Sequence, residues 1–207
     1  MFEEVLIKDT KEHLALLGRS AILKDAYLAG GTACALQLGH RLSIDFDFFT
    51  VKQFEPKIVA AELARVAAFE VEELDKGTIL GKFKGTKFSL FVYEYPLVFP
   101  SIQYLSLNIA DIRDIAAMKI DAITSRGTKR DFIDLYFICQ LNYRLSELLA
   151  IYDKKYGILA SNLMHIKKSL IFFDDAEPDA MPVMLKDVVW QDVKKYFENQ
   201  IIHIIKK

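Results

Sequence analysis

The hydrophobic period of the chain changes near residue 110, and this change limits the available folds more than any other feature. Before it, short β-branched and aromatic runs alternate with turn residues and with helical stretches. After it, apolar residues recur at helical spacing almost to the end. Segments 69–74, 78–84 and 87–95 read as an antiparallel meander, because Lys76-Gly77 and Gly85-Thr86 supply the turns between them. Residues 44–51 read as a further strand and 105–109 as a last extended piece. Helices are expected over 3–17, 20–24, 32–36 and 56–69, Pro56 suiting a first helical turn. Beyond residue 110 they are expected over 111–124, 130–141, 145–156, 159–173 and 187–205, with 174–179 a loop. The expected class is α+β. A mixed sheet flanked by helices forms a core over 1–110, and a helical region over 111–207 completes it.

Composition removes several function classes. The 207 residues are 52% hydrophobic and 27% charged, and 27 Lys and Arg against 28 Asp and Glu leave a net charge of −1. A disordered chain, a collagen-like repeat and a strongly basic coat protein are excluded. A nucleic-acid partner is not, because local patches count more than the sum. The N-terminal stretch MFEEVLIKDTKEH carries acids and no apolar signal-peptide core, and 18 uninterrupted apolar residues occur nowhere. The expectation is a cytoplasmic protein with no membrane partner. Cys34 and Cys139 lie far apart in apolar segments and read as reduced core thiols.

The chemistry concentrates in Gly30-Gly31-Thr32, followed after twelve residues by Asp45-Phe46-Asp47. Two glycines at the start of a helix let the backbone approach a ligand closely and leave N–H groups free for phosphate. Thr32 adds a hydroxyl donor. Asp45 and Asp47, two apart on a strand, point to one face, while Phe46 and Phe48 point to the other. Paired carboxylates repel each other, and a divalent cation is the usual compensation. Mg²⁺ suits carboxylate and phosphate oxygens together. A phosphate cradle beside a metal-binding acid pair is the minimum equipment for nucleotidyl transfer.

A second block lies on the helices beyond residue 110. Ile112, Ile115, Ala116, Ala122 and Ile123 form one stripe, with Lys119 in its middle and Asp121 opposite. An inward ammonium requires an anion, either a nucleotide phosphate or a nearby acid. Asp131 and Asp134 share an inward face of the next helix. Spacing does not separate them; Asp131, directly after Lys129-Arg130, is the first choice and Asp134 the structural alternative. Arg126, Lys129 and Arg130 crowd the intervening turn, either as a solvated turn or as a landing site for phosphates. His40 and Arg41, just before the acid strand, are candidates for touching nucleotide. Lys154-Lys155 and Lys167-Lys168 read as solvated faces. The segment 201–205, apolar on all sides, must dock on the core or a partner.

The stretch GGTACALQLGHRLSIDFDFFT, with Gly39-His40-Arg41 before Ser43-Ile44-Asp45, resembles the signature of the AbiEii/AbiGii nucleotidyltransferase toxin family, within the DNA polymerase β-like nucleotidyltransferase superfamily. A second likeness runs through Ala117-Met118-Lys119-Ile120-Asp121-Ala122-Ile123, Arg126, and Lys129-Arg130-Asp131-Phe132-Ile133-Asp134-Leu135-Tyr136. Together they cover roughly residues 25–140. The resemblance implies a nucleotidyltransferase fold and Mg²⁺-dependent transfer of a nucleoside monophosphate from an NTP to an acceptor, RNA or tRNA. Asp45 and Asp47 would be metal ligands and catalytic residues, as would Lys119 and Asp131 in catalysis. Gly30, Gly31, Thr32, Arg41, Arg126 and Arg130 would bind nucleotide, and a cognate antitoxin would be the protein partner. One departure stands out. The superfamily often carries a third carboxylate on a later strand, whereas 87–95 places Ser89, Phe91 and Tyr93 on one face and only Glu94, near the end, on the other. Either Glu94 is turned inward, or two acids suffice, with Asp131 standing in from the helical side. The alternative function is a catalytically degenerate module that binds nucleotide or a partner without turnover.

Overall fold

The computed structural model describes residues 1–7 and 9–205. Its centre is a seven-stranded mixed sheet of β1 (Tyr27–Leu28), β2 (Phe46–Thr50), β3 (Phe69–Asp75), β4 (Thr78–Phe83), β5 (Thr86–Val92), β6 (Ile102–Tyr104) and β7 (Leu107–Ile109). The spatial order is β3-β4-β5-β2-β1-β7-β6. The meander β3-β4-β5 is antiparallel, as the turn residues predict, but β5 then runs parallel to β2. In that pair Asp47 lies opposite Ser89, and Phe49 opposite Phe91. The strand β2 alternates as its sequence requires. Phe46, Phe48 and Thr50 are buried on one face, and Asp47 and Phe49 lie half-buried on the other. The acid-rich β3 sits at the sheet edge, largely exposed, where its charges discourage pairing with another chain.

Eight α-helices surround the sheet among the described residues: α1 (Thr10–Ser20), α2 (Gly30–Leu38), α3 (Pro56–Val66), α4 (Ile112–Ser125), α5 (Lys129–Cys139), α6 (Leu145–Tyr156), α7 (Leu159–Ser169) and α8 (Trp190–Ile205). Helix α2 follows β1 directly and packs against both α4 and α5, so the two halves of the sequence meet beside β2. One apolar cluster runs through all of this, from Val5 to Ile201. Phe46, Phe48, Phe88, Phe132 and Phe197 are among its largest buried members. Truncating any one of them to Ala would cost about 3–5 kcal/mol. Ile201 joins this core while Ile202 is exposed, so the C-terminal segment docks on its own chain by one face. The side chains of His203 and Ile205 lie outside the described residues.

Several expectations are corrected. The helix expected over 3–17 is a 3-10 turn, Glu3–Val5, followed by α1. Between them Leu6 bridges to Ser43 and Val5 accepts from the Ser43 amide, tethering the N-terminus next to the acid strand. Residues 22–25 form a turn rather than a helix. The extended piece near 105–109 is β7, paired with β6 in a hairpin the sequence did not signal. Lys155 is not on a solvated face: its side chain is fully buried, 2.9 Å from Asp114 and 2.8 Å from the Pro96 carbonyl. Asp114 in turn accepts the Val98 and Phe99 amides, so this pair fastens the loop after β5 to α4 and α6.

Candidate active site

Strand β2 and helices α2, α4 and α5 converge on a small cleft of about 160 Å³. Gly31, Asp45 and Asp47 line one wall, and Lys119, Arg126 and Asp131 the other. Its rim carries Arg41, Arg130 and Lys87, the last missed in the sequence. Lys87 could have been found there, since it sits two before Ser89 on the strand face that carries Ser89 and Phe91.

The glycine pair is required by space. Gly30 has φ +63°, and a Cβ there would fall 2.6 Å from Asp47 Oδ2. A Cβ on Gly31 would fall 2.6 Å from Arg41 Nη2. Helix α2 has no side-chain N-cap, so its first amides are left to a ligand or to water. Thr32 departs from its expected role. It is 1% exposed, and its hydroxyl donates to the Asp45 carbonyl (2.5 Å) and lies 2.9 Å from Ser43 Oγ. It shapes the segment that presents Asp45 instead of facing the cleft. Ser89 Oγ donates to Asp47 Oδ1 at 2.7 Å.

On the helical side, Lys119 Nζ lies 2.8 Å from Asp131 Oδ1 and 2.6 Å from Asp134 Oδ2. Burial opposes a charge on Lys119, but Asp134 and Asp131 outweigh it and raise its pKa. The two aspartates, inseparable by spacing, separate by environment. Asp131 lines the cleft and accepts from Lys119, from Arg126 (3.1 Å) and from the Thr128 hydroxyl (2.7 Å). Burial raises its pKa, yet Lys119 and Arg126 prevail and hold it below the usual carboxylate value. Asp134 is fully buried behind the cleft wall. It receives Arg41 Nε at 2.7 Å and Nη2 at 2.9 Å, and His40 Nε2 at 2.7 Å. Against its own burial, Lys119 and Arg41 hold Asp134 well below the carboxylate range.

His40 is therefore no nucleotide contact. It is fully buried, and burial pushes its pKa down, leaving the neutral ring with Nε2–H donating to Asp134 and Nδ1 unpartnered. Arg41 reaches the cleft edge but is committed to Asp134. Lys129 leaves the basic turn altogether: it is buried, its ammonium donating to the carbonyls of Glu177 (3.1 Å) and Asp179, with Arg126 and Arg130 remaining at the cleft. Asp121, expected opposite Lys119 on α4, is half-buried and accepts from Tyr152 of α6 at 3.4 Å. Glu94 lies exposed beyond the end of β5 and away from the cleft, so it is not turned inward.

Two donor sets are candidates for a metal. Cys34, His40 and Asp134 approach one another closely. A cation there would sit against Lys119 and Arg41, which already share Asp134, and burial holds Cys34 as the protonated thiol. That set fits no metal. Asp45 and Asp47 do fit a hard divalent ion: half-buried carboxylates, Asp47 on β2 and Asp45 just before it, both lining the cleft, with a glycine where a side chain would obstruct Asp47.

Comparison with known proteins agrees with this geometry. The family model for the nucleotidyl transferase AbiEii toxin of type IV toxin–antitoxin systems matches residues 14–110 and 91–201. An uncharacterized protein of Aquifex aeolicus is 35% identical over 201 residues, covering 95% of this chain and 96% of that one. Among solved structures, JHP933 from Helicobacter pylori superposes with a TM-score of 0.55 at 17% identity, covering 97% of this chain and 94% of its own. MenT4, a nucleotidyltransferase toxin of Mycobacterium tuberculosis H37Rv, does so with a TM-score of 0.56 at 14% identity, covering 94% and 86%. The fold is that of the nucleotidyltransferases, and the chain belongs to the AbiEii family of nucleotidyl transferase toxins.

Proposed function

We propose that this nucleotidyltransferase moves a nucleoside monophosphate from an NTP to a hydroxyl of an RNA acceptor, tRNA being the candidate, in a Mg²⁺-dependent reaction. The observation that carries this reading is the meeting of Asp45, Asp47, Gly31, Lys119 and Asp131 in one cleft. Gly30, Gly31 and the uncapped start of α2 would cradle the triphosphate, with Arg126 and Arg130 at its flank. Mg²⁺ held by Asp45 and Asp47 would neutralise triphosphate charge and steady the leaving pyrophosphate. Lys119 would stabilise charge on the phosphate being transferred. The acceptor oxygen bonds to the α-phosphorus, the bond to the pyrophosphate oxygen breaks, and the hydroxyl proton passes to solvent. Asp131, with its pKa lowered, is a weak base; its role is to position Lys119 and Arg126.

In this reading residues 1–110 supply the phosphate and metal half of the site, and 111–207 supply the cation half. The family's type IV toxin–antitoxin setting supports a cognate antitoxin as partner. No described helix is long and apolar enough to cross a membrane, and a cytoplasmic RNA target fits a cytoplasmic enzyme. The test is incubation with an RNA pool, Mg²⁺ and α-labelled NTPs. Label should enter RNA with release of pyrophosphate, and the double variant Asp45→Ala/Asp47→Ala should abolish it. Equal labelling by that variant would remove the metal assignment.

One observation favours a second reading. Ser89 occupies the position opposite Asp47 where a third acid would stand. A module that holds nucleotide without turnover would bind NTP in calorimetry yet release no pyrophosphate.

A further inference from the structure

A second cavity, of about 230 Å³, lies across the 125–128 turn from the cleft, and Arg126 borders both. Its walls are the last turn of α4, one side of α7 and the turn that follows α7. Helix α7 contributes His165 and Ser169, one helical turn apart, and Lys168 is exposed on the same side. The turn after α7 buries Leu170 and Phe173, the latter against Phe132 and Trp190. Between these two anchors Ile171 and Phe172 are forced outward. Phe172 lines the cavity at 51% exposure, and no other ring among the described residues packs against it.

The polar groups of this cavity mostly accept hydrogen bonds. Thr124 Oγ1 and Ser125 Oγ donate to the Asp121 backbone carbonyl (2.7 and 3.0 Å), and Ser169 Oγ donates to the His165 carbonyl (3.1 Å). Each hydroxyl therefore offers a ligand only its lone pairs, and Asp175 adds a carboxylate. Such a lining disfavours a phosphate and suits the N–H groups of a nucleobase whose face stacks on Phe172. The cations stand outside it. Lys168 and Arg130 are exposed, and the Arg126 side chain, 66% exposed, gives Nε and Nη2 to Asp131 (3.1 and 3.4 Å) and leaves Nη1 without a partner among the described residues. An aromatic platform flanked by cations is the usual means of holding unpaired nucleic acid. A paired end cannot use it, because its bases are already stacked and hydrogen-bonded. An unpaired strand end can send its terminal ribose past Arg126 into the cleft and leave the base before it in this cavity.

We propose that this cavity holds the base next to an unpaired 3′ end of the acceptor RNA, stacked on Phe172; this rests on the nucleotidyl-transfer reading above. Fluorescence anisotropy of labelled RNA hairpins with the full chain tests it, one hairpin ending in a short unpaired 3′ overhang and the other blunt. The overhang hairpin should bind about tenfold more tightly, the effect of one stacked base. Phe172→Ala should remove that advantage and leave the affinity for the blunt hairpin, the calorimetric affinity for NTP with Mg²⁺ and the melting temperature at their wild-type values. Phe172→Trp, which keeps a stacking face, should retain the advantage. Equal affinity of the wild type for the two hairpins, an overhang advantage that survives in a folded Phe172→Ala, or its loss in a folded Phe172→Trp would overturn the subsite while leaving nucleotidyl transfer intact. A wild-type chain that incorporates no label into the RNA pool would overturn both.

Discussion

Asp47 and Ser89 face each other across the parallel strands β2 and β5, and the serine hydroxyl donates to the aspartate at 2.7 Å. This bond fixes one oxygen of Asp47 and leaves the other, Oδ2, turned towards Gly30. Ser89→Ala should therefore loosen the acid without removing it. The expected outcome is a several-fold higher Mg²⁺ requirement in nucleotide incorporation, with thermal stability lowered by no more than about 1 kcal/mol. A magnesium titration of the variant reads this directly.

Gly30 should tolerate no side chain. Its positive φ alone costs a non-glycine residue about 1–2 kcal/mol, and the new Cβ would meet Asp47 Oδ2 at 2.6 Å. Gly30→Ala is expected to lose incorporation by about two orders of magnitude or more through displacement of Asp47, consistent with the sensitivity of reacting geometry to shifts near 1 Å. Activity near wild type would show that this acid does not need its observed position.

Asp134 is the electrostatic keystone behind the cleft, shared by Lys119, Arg41 and His40. Asp134→Ala strands the buried Arg41 guanidinium, leaves Lys119 with Asp131 alone and should cost about 3–5 kcal/mol. The melting temperature should fall by on the order of 10 °C for a chain of this size. Loss of activity should accompany loss of stability. Asp131→Asn should instead lower turnover with a much smaller change in melting temperature, because Asp134 still holds Lys119.

The same network gives a signed pH dependence. The carboxylates of Asp134 and Asp131 titrate below their ordinary values. They thus add stability that is fully present above the unfolded pKa of about 4 and is lost as pH falls through their folded values. The stability difference between wild type and Asp134→Asn should be full near pH 7 and shrink below about pH 4. Denaturant titrations at several pH values measure it; a difference that grows on acidification would contradict the ion-pair account.

How much of this the sequence carries depends on separation along the chain. The glycine pair, the acid strand and the Lys119 helix are local patterns, each fixed by spacing of a few residues, and they were readable. The role of Asp134 was not, because its partners His40 and Arg41 lie 94 and 93 residues away. Lys129 and Lys155 read as surface charges because lysines usually are; their partners, the Glu177 and Pro96 carbonyls and the Asp114 carboxylate of α4, lie 41 to 59 residues away. Asp121 lies opposite Lys119 as the helical period requires, but that period carries no sign of α6, which covers this side of α4 and supplies Tyr152. The split of the first helix likewise follows from a tertiary tie, Leu6 to Ser43, that no local propensity encodes.

The most direct test of the central claim is a crystal structure of the chain soaked with a non-hydrolysable NTP and Mn²⁺ in place of Mg²⁺, read by anomalous scattering. The account predicts metal density between Asp45 and Asp47, triphosphate oxygens at the start of α2, and Lys119 Nζ directed at a phosphate. Metal at the Cys34–His40–Asp134 cluster, or phosphates bound away from Gly30 and Gly31, would contradict it.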